Sequence, residues 1–311
     1  MAKRKQAAPK RVVKKKPAPV TSPVKIEDEF KVVSGPGYCV LEAIGGRDYM
    51  EDRTAVTLDK TGLRHEDKTN LFAVFDGHGG SECAEYCKKN MFKDLKKCKN
   101  FESNMVACLT ATFVNIDTKY AKKAKKEELL DGSTATVVAI RGGKIFSANV
   151  GDSRAIVVRE TGRALALTRD HNGELKDEHE RIKKEKGEML WDSEGAVFRV
   201  CGVLAVTRAI GDTYLPCVTG KPETNEVDIT EKDTYLLIAS DGIWDEVKHG
   251  EASKYLNLYG LKEGIIRIAK LAIKRGSEDN ISLVAVDLKE LQQEQEEKEN
   301  DSAASSKQKK R

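Results

Sequence analysis

Leu71-Phe72-Ala73-Val74-Phe75-Asp76-Gly77-His78-Gly79-Gly80 is the stretch on which the reading of this chain turns. Five apolar residues run straight into Asp-Gly-His-Gly-Gly. A short, continuous apolar run closed by glycines reads as a strand buried on both faces. An aspartate at the end of such a strand is costly unless a cation or a set of N–H donors compensates its charge. Gly77, Gly79 and Gly80 let the backbone turn sharply and let a ligand come close. On this stretch alone, a tight turn whose aspartate bonds its own backbone looks the same.

The pattern returns elsewhere. Residues 234–239 form a second apolar run that ends in Ser240-Asp241-Gly242. Asp279 precedes a third, 281–286. Glu51-Asp52 sit between two strand candidates, 38–44 and 53–58. Acids at the ends of buried strands from distant parts of the chain are expected to converge. Two carboxylates about 4 Å apart repel by about 4 kcal/mol at an effective dielectric near 20. Divalent cations relieve such a cluster, and an all-oxygen donor set favours Mg²⁺ or Mn²⁺.

Between these runs the sequence predicts helices at 81–95, with Ser81 as N-cap, and at 101–123, with Met105, Leu109, Phe113 and Ile116 at helical spacing. β-branched runs at 134–140, 144–150 and 154–158 read as strands, the first two joined by a Gly142-Gly143 hairpin. Residues 174–187 read as an exposed helix and 213–233 as a loop. Helices are expected at about 250–258 and 261–275.

The chain has 311 residues and a net charge of +4. The first sixteen residues alone carry +8 with no acid, which leaves about −4 for the rest. Residues 1–30 are expected to be a disordered basic arm, 31–289 one folded domain and 290–311 a disordered polar tail. The clusters Lys3-Arg4-Lys5 and Lys14-Lys15-Lys16 resemble a bipartite import signal, so the expected location is nucleus, cytoplasm or both. No apolar run suits a membrane span and no secretory h-region is present. The seven cysteines, an odd number without a regular framework, are expected to be free thiols in a reducing compartment.

Seven motifs stand in order: Arg47-Asp48-Tyr49-Met50-Glu51-Asp52, Asp76-Gly77-His78-Gly79-Gly80, Asp131-Gly132-Ser133-Thr134-Ala135, Asn149-Val150-Gly151-Asp152-Ser153-Arg154-Ala155, the run from Leu204 through Thr207-Arg208 to Gly211-Asp212, Ser240-Asp241-Gly242-Ile243-Trp244-Asp245 and Asp279-Asn280. Together they resemble the metal-dependent serine/threonine phosphatases of the protein phosphatase 2C family, and the body most resembles the integrin-linked-kinase-associated branch. The resemblance covers about residues 35–288. It implies an α+β fold, a four-layer α-β-β-α sandwich of two mostly antiparallel sheets flanked by helices. It also implies two Mg²⁺ or Mn²⁺ ions, with a weaker third, at one end of the sandwich. Carried over, Asp76 bridges the two metals, the Gly77 carbonyl binds one, and Glu51, Asp241 and Asp279 bind the other. Asp152 shares the third metal with Asp241. Asp52 holds water on the metals, Arg47 binds the substrate phosphate and His78 protonates the leaving oxygen. The implied activity is hydrolysis of phosphoserine and phosphothreonine in signalling proteins by a metal-activated water, without a phosphoenzyme.

Blander readings compete. Arg208 and Asp212 read as a structural ion pair or cap, Asn280 as the residue that shapes the turn at Asp279, and Cys83 and Cys87 as core thiols. His65, His171, His179 and His249 read as surface or loop residues. A pseudophosphatase that binds phosphoproteins as a scaffold predicts a missing acid, and none is missing. A nucleic-acid role rests on the basic arm alone, which has no aromatic residue for stacking, so such contact is weak. A cysteine phosphatase needs Cys-x₅-Arg, whereas Cys201 and Arg208 are separated by six residues. No Gly-x₄-Gly-Lys-Ser/Thr supports nucleotide binding. A monomer is expected. Departures from the family pattern, Asn172-Gly173 and Gly187-Glu188 among them, fall between 170 and 222 and bear on specificity.

Overall fold

Two antiparallel sheets, stacked face to face, carry the fold in the computed structural model, which describes residues 30–59 and 68–291. The basic arm and polar tail lie almost wholly outside the described residues, as does His65. The chain begins with strands β1 (Lys31–Gly35), β2 (Tyr38–Ala43), β3 (Arg53–Thr57), β4 (Asn70–Phe75) and the short β5 (Gly77–His78). Helices α1 (Glu82–Leu95) and α2 (Met105–Glu127) follow. Next come β6 (Gly132–Ser133), β7 (Ala135–Arg141), β8 (Lys144–Val150), β9 (Arg154–Arg159) and β10 (Ala164–Ala166). Helix α3 (Lys176–Lys184), the hairpin of β11 (Met189–Asp192) and β12 (Val197–Val200), and the short β13 (Ile210–Gly211) lead to β14 (Glu223–Asp228). The last elements are β15 (Asp233–Ala239), α4 (Asp241–Trp244), α5 (His249–Arg275) and β16 (Ile281–Asp287).

One main sheet runs β1-β2-β16-β15-β9-β10, the other β14-β8-β7-β4-β3. Strand β4 shows why the central strands read as unbroken apolar runs. Its residues Phe72 and Val74 face the opposite sheet, where they pack with Val157, Ile238 and Val284, beside Val138 of the neighbouring β7. Leu71, Ala73 and Phe75 face outward onto α1 and α2. The other sheet is covered on its outer face by α5. Period-2 alternation therefore puts apolar residues on both faces. The result is the expected α-β-β-α sandwich. Burying Leu71, Phe72 and Phe75, all fully enclosed, is worth about 1.5–3 kcal/mol each.

The structure departs from the sequence reading at its margins. β14 lies inside the expected 213–233 loop; its Glu-Thr-Asn-Glu-Val-Asp sequence is polar because it is an edge strand paired only with β8. The β11–β12 hairpin was hidden by its four-residue strands. Helix α2 starts later than expected because Asn104 caps it, its side chain accepting from the Ala107 N–H at 2.9 Å. Ser81 is the N-cap residue of α1 but makes no side-chain cap bond; Asp131 accepts from the Cys83 N–H there instead, at 2.8 Å. The α3 helix is not wholly exposed, since Glu178 and Ile182 are buried. Helix α5 breaks at Gly260, as two helices were expected to meet there.

Free thiols throughout are not found. Cys98 and Cys108 form a disulfide, because tight turns after α1 bring Cys98 against the first turn of α2, with Cα atoms 5.7 Å apart. Cys83 and Cys87 are free and buried in the core, as expected. His171 is fully buried, not a surface residue, and lies 3.3 Å from Glu223. No helix among the described residues is long and apolar enough to cross a membrane.

Candidate active site

Every connection that carries a candidate residue lies at one end of the sandwich. Glu51 and Asp52 sit where the chain crosses from β2 to β3, and Asp152 where it crosses from β8 to β9. Asp76 closes β4, Asp241 follows β15 and Asp279 precedes β16. The antiparallel register requires this: Phe75 pairs with Arg53 on one sheet, and Ala239 with Leu283 and Arg154 on the other. The β-ladder thus brings together acids far apart in sequence.

Carboxylate oxygens of Asp76, Asp152 and Asp241 lie within 4.8 Å of one another. This tightest group joins Asp152, expected at a weaker third position, directly to Asp76. Asp279 is close enough that its charge, after burial, is the main influence on Asp241. Its Oδ1 accepts from the Asn280 N–H at 2.7 Å and its Oδ2 from Arg47 at 2.5 Å. Glu51 Oε1 accepts from the Gly80 N–H at 2.5 Å. Gly77 is pressed against the Glu51 backbone, where a side chain would collide with the Glu51 carbonyl. Asn280 does more than shape a turn. Its Oδ1 accepts from the Glu51 N–H at 2.8 Å, and its amide donates to the carbonyls of Ile44 and Tyr49, so it straps the 44–51 loop to Asp279.

The electrostatics match a cluster of acids shielded from water. Burial, followed by the charge of Asp241, pushes Asp52 up to about 7. Burial and then Asp279 push Asp241 up to about 6. Asp76 and Asp152 are also driven well above the ordinary carboxylate range, first by burial and then by Asp241. Asp52 Oδ2 is buried without a hydrogen-bond partner among the described residues. An orphaned oxygen beside three crowded carboxylates, with only hard oxygen donors present, fits a divalent cation site. Asp245 was missed on sequence although it lies one turn from Asp241; its charge acts on both Asp152 and Asp241. A cleft of about 450 Å³ opens beside the cluster, lined by Arg47, Asp245, Glu246 and Asp279 among others.

His78 stands on β5, an edge strand of a small sheet, β13-β6-β5. Its Nε2 lies 2.8 Å from Asp212 Oδ2 and 3.0 Å from Oδ1. Burial disfavours the charged imidazole, but the Asp212 bond and charge, with Glu51, outweigh it and raise the His78 pKa. Arg208 and Asp212 are therefore not an ion pair with each other. Arg208 turns to Glu178, at 2.7 Å, while Asp212 meets His78. Glu178 also accepts from Arg181 at 2.9 Å and from the Thr207 hydroxyl at 2.7 Å.

An α-β-β-α sandwich with hard oxygen donors gathered at one end defines a class of domain, and the relatives specify which. Residues 38–281 match the family model described as Protein phosphatase 2C. The chain is 38% identical over 244 residues to "Probable protein phosphatase 2C member 13, mitochondrial" of Oryza sativa subsp. japonica, covering 78% of this chain and 65% of that protein. It is 38% identical over 244 residues to "Probable protein phosphatase 2C 59" of Arabidopsis thaliana, covering 78% and 76%. Across further rice and Arabidopsis relatives the matched region falls to 48% of the relative's length. Among solved structures, a C. elegans sex determining protein superposes with a TM-score of 0.73 at 28% identity, over 84% of this chain and 67% of that one. The serine-threonine phosphatase 2C from Toxoplasma gondii gives 0.71 at 20% identity, over 83% and 97%, and supports the fold. The chain belongs to the protein phosphatase 2C family.

Proposed function

We propose that this protein hydrolyses phosphoserine and phosphothreonine in other proteins at a two-metal site, with no phosphoenzyme. The observation that carries the reading is the convergence of Asp76, Asp152 and Asp241 on one point within 4.8 Å, beside an orphaned Asp52 oxygen. Asp76, Asp241, Asp279, Glu51 and the Gly77 carbonyl would hold two Mg²⁺ or Mn²⁺ ions, and Asp152 a weaker third. When bound, such ions supply a water acidic enough to attack phosphorus near neutral pH and offset charge on the phosphoryl oxygens.

The chain's own residues do the rest. Asp52 accepts a hydrogen bond from the attacking water and fixes its direction. Arg47, with nearly half its side chain exposed at the cleft, presents a planar fork that matches phosphate oxygens. His78 delivers a proton to the departing serine or threonine oxygen. No side chain need become phosphorylated.

The test is phosphate release from a ³²P-labelled phosphothreonine protein, with acid quenching through the first turnover. Release with Mn²⁺ or Mg²⁺, its loss with excess chelator, and no label on the quenched enzyme are expected. Label retained on the protein, or release indifferent to chelator, would contradict the reading. Arg47→Ala is expected to lower kcat/KM about 100-fold, since charge-assisted bonds to a phosphate contribute about 1.5–3 kcal/mol. Arg47→Lys should restore little of it because an ammonium lacks the fork. Steady-state kinetics on the same substrate decide this.

A further inference from the structure

We propose that Asp212 is the positioning residue for His78, and that the proton handed to the leaving oxygen comes from His78 Nδ1. This rests on the reading of His78 as proton donor. The three-stranded sheet sets the geometry. His78 pairs with Gly132, and Gly132 pairs with Gly211, so the residue after Gly211 is brought alongside the imidazole. Gly132 must lack a side chain, for a Cβ there would overlap both the Asp212 carboxylate and His78 Nε2.

Asp212 is anchored independently of His78. It holds a left-handed backbone, with φ of 46°. Its N–H donates to the Asp131 carbonyl at 3.2 Å and its own carbonyl accepts from Leu215 at 2.8 Å. The preceding Gly211 N–H donates to Asp117 Oδ1 at 3.0 Å. The Asp212 side chain is fully buried, whereas that of His78 is 27% exposed. No cationic side chain other than His78 pairs with Asp212 among the described residues, because Arg208 is committed to Glu178.

An ionised carboxylate only accepts, so Nε2 carries the hydrogen that bonds it. Nδ1 is then the one ring nitrogen free to give a proton away. As the bond from phosphorus to the serine or threonine oxygen breaks, its electron pair goes to that oxygen, which takes the Nδ1 proton. The attacking water forms the new phosphorus–oxygen bond. One of its protons restores the imidazolium and the other leaves on phosphate. Asp212, held against Nε2, keeps the ring from turning.

Leaving-group dependence tests this. Serine and threonine alkoxides need the proton far more than p-nitrophenolate does. General acid catalysis is worth about 10²–10⁴-fold. Asp212→Asn in the full chain with Mn²⁺ should therefore cost at least tenfold more in kcat on a phosphothreonine peptide than on p-nitrophenyl phosphate, with KM on the peptide changed less than about threefold. Gly132→Ala, which wedges the pair apart while leaving both groups present, should show the same asymmetry. Adding Asp212→Asn to His78→Ala should cause no further loss, as expected for groups acting as a unit. Equal losses on both substrates, or none on either, would overturn the positioning role. Wild-type protein inactive on both with Mn²⁺ would instead overturn the phosphatase reading on which it rests.

Discussion

Asp76→Asn is expected to abolish metal-dependent phosphate release, by about 10³-fold or more, and at the same time to make the metal-free protein more stable. The two effects have one cause. Asp76 lies within 4.8 Å of Asp152 and Asp241, and burial plus these neighbours raise the pKa of each. At such distances each like-charge pair costs about 3–4 kcal/mol at an effective dielectric of 20, partly relieved by proton uptake. Removing one carboxylate should return roughly 1–3 kcal/mol, a rise of a few degrees in Tm under chelator. The sign with pH follows. In metal-free protein these acids bind more protons folded than unfolded between about pH 4 and 7, so stability falls as pH rises through that window. Asp76→Asn should flatten that fall. Saturating Mn²⁺ should stabilise wild type by about 2.7 kcal/mol at 100 times its Kd and the variant far less. Thermal unfolding at pH 5 and 8, with chelator and with Mn²⁺, measures all of these. A variant less stable than wild type under chelator at pH 8 would contradict the clustered-carboxylate account.

Glu178→Ala should be strongly destabilising although Glu178 lies outside the active site. The Glu178 side chain is almost completely buried and gathers Arg208, Arg181 and Thr207. Burial alone would raise its pKa, but the hydrogen bonds from Arg208, Arg181 and Thr207 outweigh it and hold the carboxyl well below the ordinary glutamate range. Removing one member of a buried ion pair strands the others, at a cost of about 3–5 kcal/mol. Because the folded pKa is depressed, this contribution is present above the unfolded value near 4.5 and is lost as pH falls below it. Urea unfolding at pH 7 should show the loss in full, and the gap between wild type and Glu178→Ala should narrow at pH 3. A cost under about 1 kcal/mol at pH 7 would mean that the network is solvated and dispensable.

Glu178 also marks where the sequence was hardest to read. Its role depends on Thr207 and Arg208, some thirty residues away, and on a segment between 170 and 222 rich in short strands and irregular backbone. Local periodicity does not register such contacts. The central strands were legible for the opposite reason. β4, β15 and β16 are buried on both faces, so they are nearly continuous apolar runs whose ends are marked by Asp-Gly or Asp-Asn. Those ends carry Asp76, Asp241 and Asp279, which is why these candidates could be named in advance. Asp212 was visible as a Gly-Asp pair after an apolar run, but its partner was not. Only the pairing of β13 with β6, and of β6 with β5, puts it beside His78. Asp245 carried a readable signal, its spacing of four from Asp241 across one helical turn. The disulfide between Cys98 and Cys108 had none, because the turns that close it are not periodic.

The most direct single measurement is the rate of phosphate release from a phosphothreonine peptide as Mn²⁺ is titrated into wild type and Asp241→Asn. Saturable, metal-dependent release by wild type, with release by the folded variant at least 10³-fold lower at every Mn²⁺ concentration, is the predicted result. Equal release by the two proteins, or none by folded wild type at saturating Mn²⁺, would contradict the account.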